Sequence, residues 1–185
     1  MTCLNHASLA ASLAALTVAA DAAAASKPKS PAGKRPAVIV IMTDQQTAGA
    51  ISCAGNPWVR TPAMDALAAD GVRFTRAYCP YPLSGPCRAA LVTGRMPFEV
   101  GAFDNAIRPA DVDMQAGIGH RLAEAGYECL YAGKWHVPEV NLPDSGTGFR
   151  RISKMNDPAL ADACDAALKE YDGQKPLFLV ASLLN

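Results

Sequence analysis

Ala37-Val38-Ile39-Val40-Ile41-Met42 is a continuous apolar run rich in β-branched residues, and it stops at the polar stretch Thr43-Asp44-Gln45-Gln46. A run this short, with no polar face, predicts a strand buried on both sides, as in a parallel sheet. A second such run, Leu177-Phe178-Leu179-Val180-Ala181-Ser182-Leu183-Leu184, follows Pro176. Helical and strand-like segments alternate between the two. Thr61-Pro62 opens a helix, with Thr61 at the N-cap, Pro62 in the first turn, an apolar stripe of Met64, Leu67 and Ala68, and Gly71 as its stop. Val72 to Tyr78 alternates as a short strand, residues 80–86 form a turn-rich loop, and Cys87 to Val92 is helical up to Thr93-Gly94. Gln115 to Ala125 is a helix stopped by Gly126, Tyr127 to Tyr131 a strand, and Leu160 to Tyr171 a helix. This alternation predicts an α/β fold around a mostly parallel central sheet.

The chain has 185 residues and is half apolar, enough to bury a core. Lys+Arg and Asp+Glu balance at 17 each, which argues against a nucleic-acid or polyanion binder. The segment from Leu9 to Ala25, LAASLAALTVAADAAAA, has the apolar length and small-residue cleavage options of a secretory signal peptide, although residues 1–6 carry no Lys or Arg. Asp21 interrupts the run, and it is too short for a stable membrane anchor. Residues 1–25 are therefore expected to be a signal peptide that directs the chain to the periplasm or outside the cell. Residues 26–35, rich in Pro, Lys and Ser, are expected to be a linker. The six cysteines form no C-x-x-C pair, so neither a zinc site nor a redox dithiol is read from their spacing.

In an open α/β sheet, ligands gather beyond the carboxyl ends of the strands, which makes Asp44 and Gln45 candidates by position. Their oxygens suit a hard cation. Ser84 precedes a helix N-terminus, a place that favours anions. Arg88, one turn into that helix, has the planar fork that fits a tetrahedral oxyanion. Lys134 and His136 flank Trp135 after a strand, so in an extended segment they share a face while Trp135 turns inward. The ammonium can neutralise an anion, and the imidazole can exchange protons near neutral pH. Asn105 is a weaker candidate for substrate contact, since an Asx turn explains it equally well.

Ser84-Gly85-Pro86-Cys87-Arg88 with Thr93-Gly94-Arg95 resembles the sulfatase signature. Further segments agree in order: Thr61-Pro62-Ala63-Met64-Asp65-Ala66-Leu67-Ala68, Gly71-Val72-Arg73-Phe74-Thr75-Arg76-Ala77-Tyr78, Ala125-Gly126-Tyr127 and Gly133-Lys134-Trp135-His136. The resemblance implies the alkaline-phosphatase-like fold, with 36–185 as the N-terminal part of a catalytic domain incomplete at its C-terminus. It also implies a sulfuric ester hydrolase of the serine-type subclass. There a radical-type maturation enzyme oxidises the residue at Ser84 to formylglycine, whose hydrate attacks a sulfated small molecule or sugar. By the same resemblance, Asp44, Gln45 and residue 84 bind calcium, with Gln45 replacing a frequent aspartate. Arg88 and Lys134 hold sulfate oxygens, and His136 moves the proton that releases sulfate. Calcium held by those three residues alone would be under-coordinated, so the 185-residue chain by itself is expected to be inactive. Phosphodiester or phosphonate monoester hydrolysis on the same fold, or binding without turnover, are the competing expectations.

Overall fold

The β-branched run becomes strand β1 (Val38–Met42), and the later apolar run becomes β4 (Leu177–Ser182). In this computed structural model the described residues are 35–106, 117–137, 146–154 and 157–184. The expected signal peptide and nearly all of the linker lie outside them, as do the first two residues of the helix expected from Gln115. Between β1 and β4 come α1 (Pro62–Asp70), α2 (Ser84–Thr93), α3 (Ile118–Glu124), β2 (Glu128–Gly133), β3 (Arg150–Arg151) and α4 (Asp157–Glu170). The strands form one sheet in the order β1-β4-β2-β3, and every pair is parallel. The chain is thus α/β with a parallel sheet, as expected. Among the described residues, no helix is long and apolar enough to cross a membrane.

Register decides what lies where. Met42 of β1 and Gly133 of β2 both pair with Ser182 of β4, so three strands end level at their carboxyl ends. One face of the sheet carries Cys129, Tyr131, Phe178 and Val180, which pack with Ala89 and Val92 of α2 and with Trp135 and Phe149. Tyr131 and Trp135 meet edge to face at 4.8 Å between ring centroids, a favoured aromatic geometry. The opposite face carries Leu130, Leu177, Leu179, Ala132 and Ala181, covered by Leu160, Cys164, Ala167 and the neighbouring Tyr171 at α4.

β4 is buried along its whole length, as its continuous apolar pattern requires. β1 is not. It lies at the sheet edge, and only Val40 packs against the core cluster. Ile39 and Ile41 pair with Leu179 and Ala181 on the α4 side, yet Ile41 remains 63% exposed because α4 packs over β2 and β4. The strand expected at Val72 to Tyr78 does not form. A strand needs a neighbour to take its backbone hydrogen bonds, and no described strand lies beside this segment, whose Val72, Phe74 and Tyr78 are exposed.

The helix expected from Cys87 begins earlier, at Ser84. Pro86 stands in its first turn, where a missing N–H costs nothing, and the Cys87 amide makes the first helical bond to the Leu83 carbonyl at 3.0 Å. Thr61 occupies the N-cap position of α1, but its hydroxyl does not cap the helix. It bonds the Ser52 amide at 2.9 Å and Asp65, pinning α1 to the preceding turn. Gly126 ends α3 at φ +86°, the left-handed stop expected of it.

Gly133 closes β2 at φ +87°, and a Cβ there would lie 2.0 Å from the Ser182 carbonyl oxygen and 2.4 Å from Leu160 Cδ1. Gly55 has a similar φ of +94° but open space around it. Gly133→Ala is therefore expected to lower unfolding stability by about 3 kcal/mol, strain and overlap combined. Gly55→Ala should cost about 1 kcal/mol, from backbone conformation alone. Urea unfolding of the two variants measures the difference; equal losses would contradict the close approach at Gly133.

Candidate active site

The level strand ends bring polar groups together. Asp44 follows β1, Lys134 follows β2, and Ser182 is the last residue of β4. The N-terminal turn of α2 adds Ser84 and Arg88. Asp44, Gln45, Ser84, Arg88, Asn105, Lys134 and His136 all line one cavity of about 590 Å³. Every site residue expected from the sequence is thus present around a single space.

Arg88 is the hub. Its side chain is 5% exposed, and four of its five N–H groups have partners. Nε donates to Ser84 Oγ at 3.1 Å, and Nη1 donates to the Lys134 carbonyl and to Ser182 Oγ, both at 2.8 Å. Nη2 reaches Asp44 Oδ1 at 3.3 Å. Lys134 Nζ bonds the other Asp44 oxygen, Oδ2. Burial pushes the Asp44 carboxyl up, but the hydrogen bonds and charges of Lys134 and Arg88 outweigh it and hold the group below its ordinary value. Two cations against one carboxylate leave a net positive charge at the cavity wall, suited to an anion.

Ser84 Oγ accepts from Arg88 and lies 3.0 Å from His136 Nδ1. Burial, followed by the charges of Lys134 and Arg88, holds the His136 imidazole below its ordinary value, and Asp44 opposes this. A neutral ring with Nδ1 unprotonated accepts the Ser84 O–H, giving a directed chain from Arg88 through Ser84 to His136. His136 holds this position with φ +49°, a conformation uncommon for residues other than glycine. Trp135 points into the core, as its flanking role predicted.

The Asx turn that competed with a substrate role for Asn105 would involve the amide of residue 107, which lies outside the described residues. Asp104 makes the local turn, accepting from the Ala106 amide at 2.7 Å. Asn105 Oδ1 instead accepts the Gly85 amide at 2.9 Å, capping a free N–H of α2 while lining the cavity. Gln45 is exposed at φ +57° at the cavity rim, and Gln46 bonds the Ala50 carbonyl at 3.0 Å.

Two contributors were not singled out from the sequence. Ser182 is fully buried and accepts from Arg88. The Tyr131 hydroxyl donates to the Lys134 carbonyl at 2.7 Å, so that carbonyl is held from two sides. The signal for Ser182 was a lone hydroxyl inside an apolar strand, since a buried polar group needs a partner.

The described oxygen donors do not by themselves fit calcium. Calcium takes about six to eight oxygens, whereas among the described residues Asp44 is the lone carboxylate lining the cavity and both its oxygens already meet cations. No group of three or more His, Cys, Asp or Glu side chains able to hold a metal occurs among the described residues.

The sulfatase family model matches residues 36–158. The chain belongs to the sulfatase family. It is similar to the N-acetylglucosamine-6-O-sulfatase of Bacteroides thetaiotaomicron, at 40% identity over 133 residues, covering 72% of this chain and 23% of that protein. The structure also superposes on a protein solved with its substrate D-glucosamine-2-N,6-O-disulfate, at a TM-score of 0.70 and 28% identity, covering 81% of this chain and 34% of that one. The phosphonate monoester hydrolase of Agrobacterium radiobacter shares the fold at a TM-score of 0.67 and 21% identity, covering 82% of this chain and 41% of that one. The fold is alkaline-phosphatase-like, as the sequence motifs implied. The chain spans about a quarter of the curated relative's length.

Two outcomes follow from this geometry. The folded protein holds the His136 proton less tightly than the unfolded chain, so unfolding takes up a proton just below pH 6.5. Stability from this group is present above that pH and is lost as pH falls through the lower folded value. NMR titration of the His136 ring should give a midpoint below 6.5, and a midpoint above it would contradict the electrostatics. Ser182→Ala removes one acceptor from a buried guanidinium and should cost about 1–3 kcal/mol in urea unfolding; an unchanged midpoint would contradict the bond.

Proposed function

We propose that this site hydrolyses a sulfate monoester within the full protein, with a sugar sulfate as the preferred substrate class. The arrangement of Arg88, Lys134, His136 and residue 84 around one positively charged cavity is the observation that carries this reading. The names of the family and of the glucosamine-sulfate relatives support it.

Arg88 and Lys134 are proposed to hold the sulfuryl oxygens, with charge already in place where it develops in the transition state. Both are oriented before substrate arrives, Arg88 by Ser182 and Asp44, Lys134 by Asp44. His136 Nδ1, within reach of the oxygen on residue 84, is placed to take its proton. Formylglycine formed from Ser84 by a radical-type maturation enzyme would supply a hydrate hydroxyl as nucleophile where unmodified serine is a weak one. Asp44 and Gln45, with residue 84, are proposed as part of a calcium donor set. Further oxygens would be needed to complete the shell. The apolar stretch Leu9 to Ala25 supports export to the periplasm or beyond.

The fold alone does not choose between tetrahedral anions, since a phosphonate monoester hydrolase shares it. Paired assays of the full protein with an aryl sulfate, a glucosamine 6-sulfate and a phosphonate monoester decide. The expected result is higher kcat/KM for the sulfates and a Ser84 peptide about two mass units lighter than its sequence. An unmodified Ser84 with no sulfate turnover, or preference for the phosphonate, would contradict the proposal. Ser84→Ala should lower kcat by about 10³-fold or more while the protein stays folded.

A further inference from the structure

Tyr131 lies near the end of β2, is 4% exposed and does not line the Ser84 cavity. A fully extended chain would place Lys134 about 10 Å further along the strand, out of reach of a short bond. Gly133, at φ +87°, breaks that extension, and the Tyr131 hydroxyl donates to the Lys134 carbonyl at 2.7 Å. Arg88 Nη1 donates to the same oxygen at 2.8 Å, so both of its lone pairs are used. The Lys134 amide is held as well, donating to the Ser182 carbonyl at 2.8 Å. The main chain on either side of the Lys134 Cα is thereby fixed, while the side chain runs on to Asp44. The Tyr131 ring reaches the next residue. It packs edge to face against Trp135 at 4.8 Å and against Phe149 at 5.6 Å between centroids. Burial pushes the Tyr131 hydroxyl up, which keeps it a protonated donor.

We propose that Tyr131 is a positioning residue for the proposed sulfate-ester hydrolysis: its hydroxyl, on the Lys134 carbonyl, and its ring, on Trp135, set the turn that presents Lys134 and His136 to the cavity. The effect on turnover rests on the sulfate-ester reading; the effect on the turn does not. This turn depends on outside support. His136 holds φ +49°, a conformation that a residue other than glycine keeps only when its surroundings impose it. Trp135, between the two site residues, is 3% exposed, so a fixed indole fixes the peptide that leads to His136. Tyr131 and Arg88 meet at one carbonyl oxygen, which ties the turn to the helix that carries Ser84. Without the hydroxyl, Arg88 is the remaining donor to that oxygen among the described residues.

Tyr131→Phe in the full protein keeps the ring and removes the bond. With a sulfate ester that the unsubstituted protein hydrolyses, kcat should fall about 10-fold, because small displacements of oriented groups are costly. KM should stay within about threefold. Hydrogen exchange of the Lys134 amide should become about 10-fold faster, while the Leu179 and Val180 amides keep their protection. Replacing Tyr131 by 4-aminophenylalanine, whose N–H can still donate to the carbonyl, should restore most of the lost kcat. Leu130→Val, on the α4 face of the same strand, is the control for lost stability alone. Its kcat should stay near the unsubstituted value even where its urea midpoint drops further. Unchanged kcat or unchanged Lys134 exchange in Tyr131→Phe would overturn the proposal, as would an equal kcat loss in Leu130→Val or no recovery with 4-aminophenylalanine. If the unsubstituted protein hydrolyses no sulfate ester, the ester reading is what fails. Amide exchange then decides alone on Tyr131: faster exchange at Lys134 supports its hold on the turn, and unchanged exchange overturns it.

Discussion

One buried guanidinium organises this end of the molecule. Arg88 belongs to a helix, but three of its four bonds go to strand ends: to Asp44 after β1, to the Lys134 carbonyl after β2, and to Ser182 at the end of β4. A buried arginine cannot lose its proton and must find acceptors. The level ends of parallel strands supply them, because their register brings Met42, Gly133 and Ser182 side by side. The constraint works in both directions. The sheet fixes Arg88, and Arg88 fixes the first turn of α2, on which Ser84 stands.

Charge at the site follows from the same arrangement. Asp44 compensates part of the charge of two cations, which permits their burial without an anion bound. It leaves an excess positive charge facing the cavity. Burial, with the charges of Lys134 and Arg88 behind it, favours the neutral His136 imidazole, the form able to accept a proton from residue 84. Preorganisation, charge and proton acceptance are thus three consequences of one cluster.

The sequence made the sheet legible because continuous apolar runs at 38–42 and 177–182 have one simple solution, a parallel strand. The candidate site residues were legible because strand ends and a helix start place polar side chains together, and because the motif segments occur in family order. Other features were not readable locally. The alternation at Val72 to Tyr78 looks like a strand, but strand formation depends on a partner far away in the chain. Exposure of Ile41 depends on how far α4 extends over the sheet. The capping role of Asn105 spans 20 residues and the Ser182–Arg88 bond spans 94, so a lone hydroxyl in an apolar strand marks Ser182 as needing a partner without saying which.

A double-mutant cycle between Arg88 and Asp44 tests the central claim most directly. Unfolding free energies of Arg88→Met, Asp44→Asn and the double variant are compared with the unsubstituted protein. If the buried guanidinium depends on this carboxylate, the coupling energy should be about 1.5–3 kcal/mol, and the double variant should be less damaged than the sum of the singles. A coupling below about 0.5 kcal/mol would mean that the two residues act independently, and that the strand ends are held together by something other than Arg88.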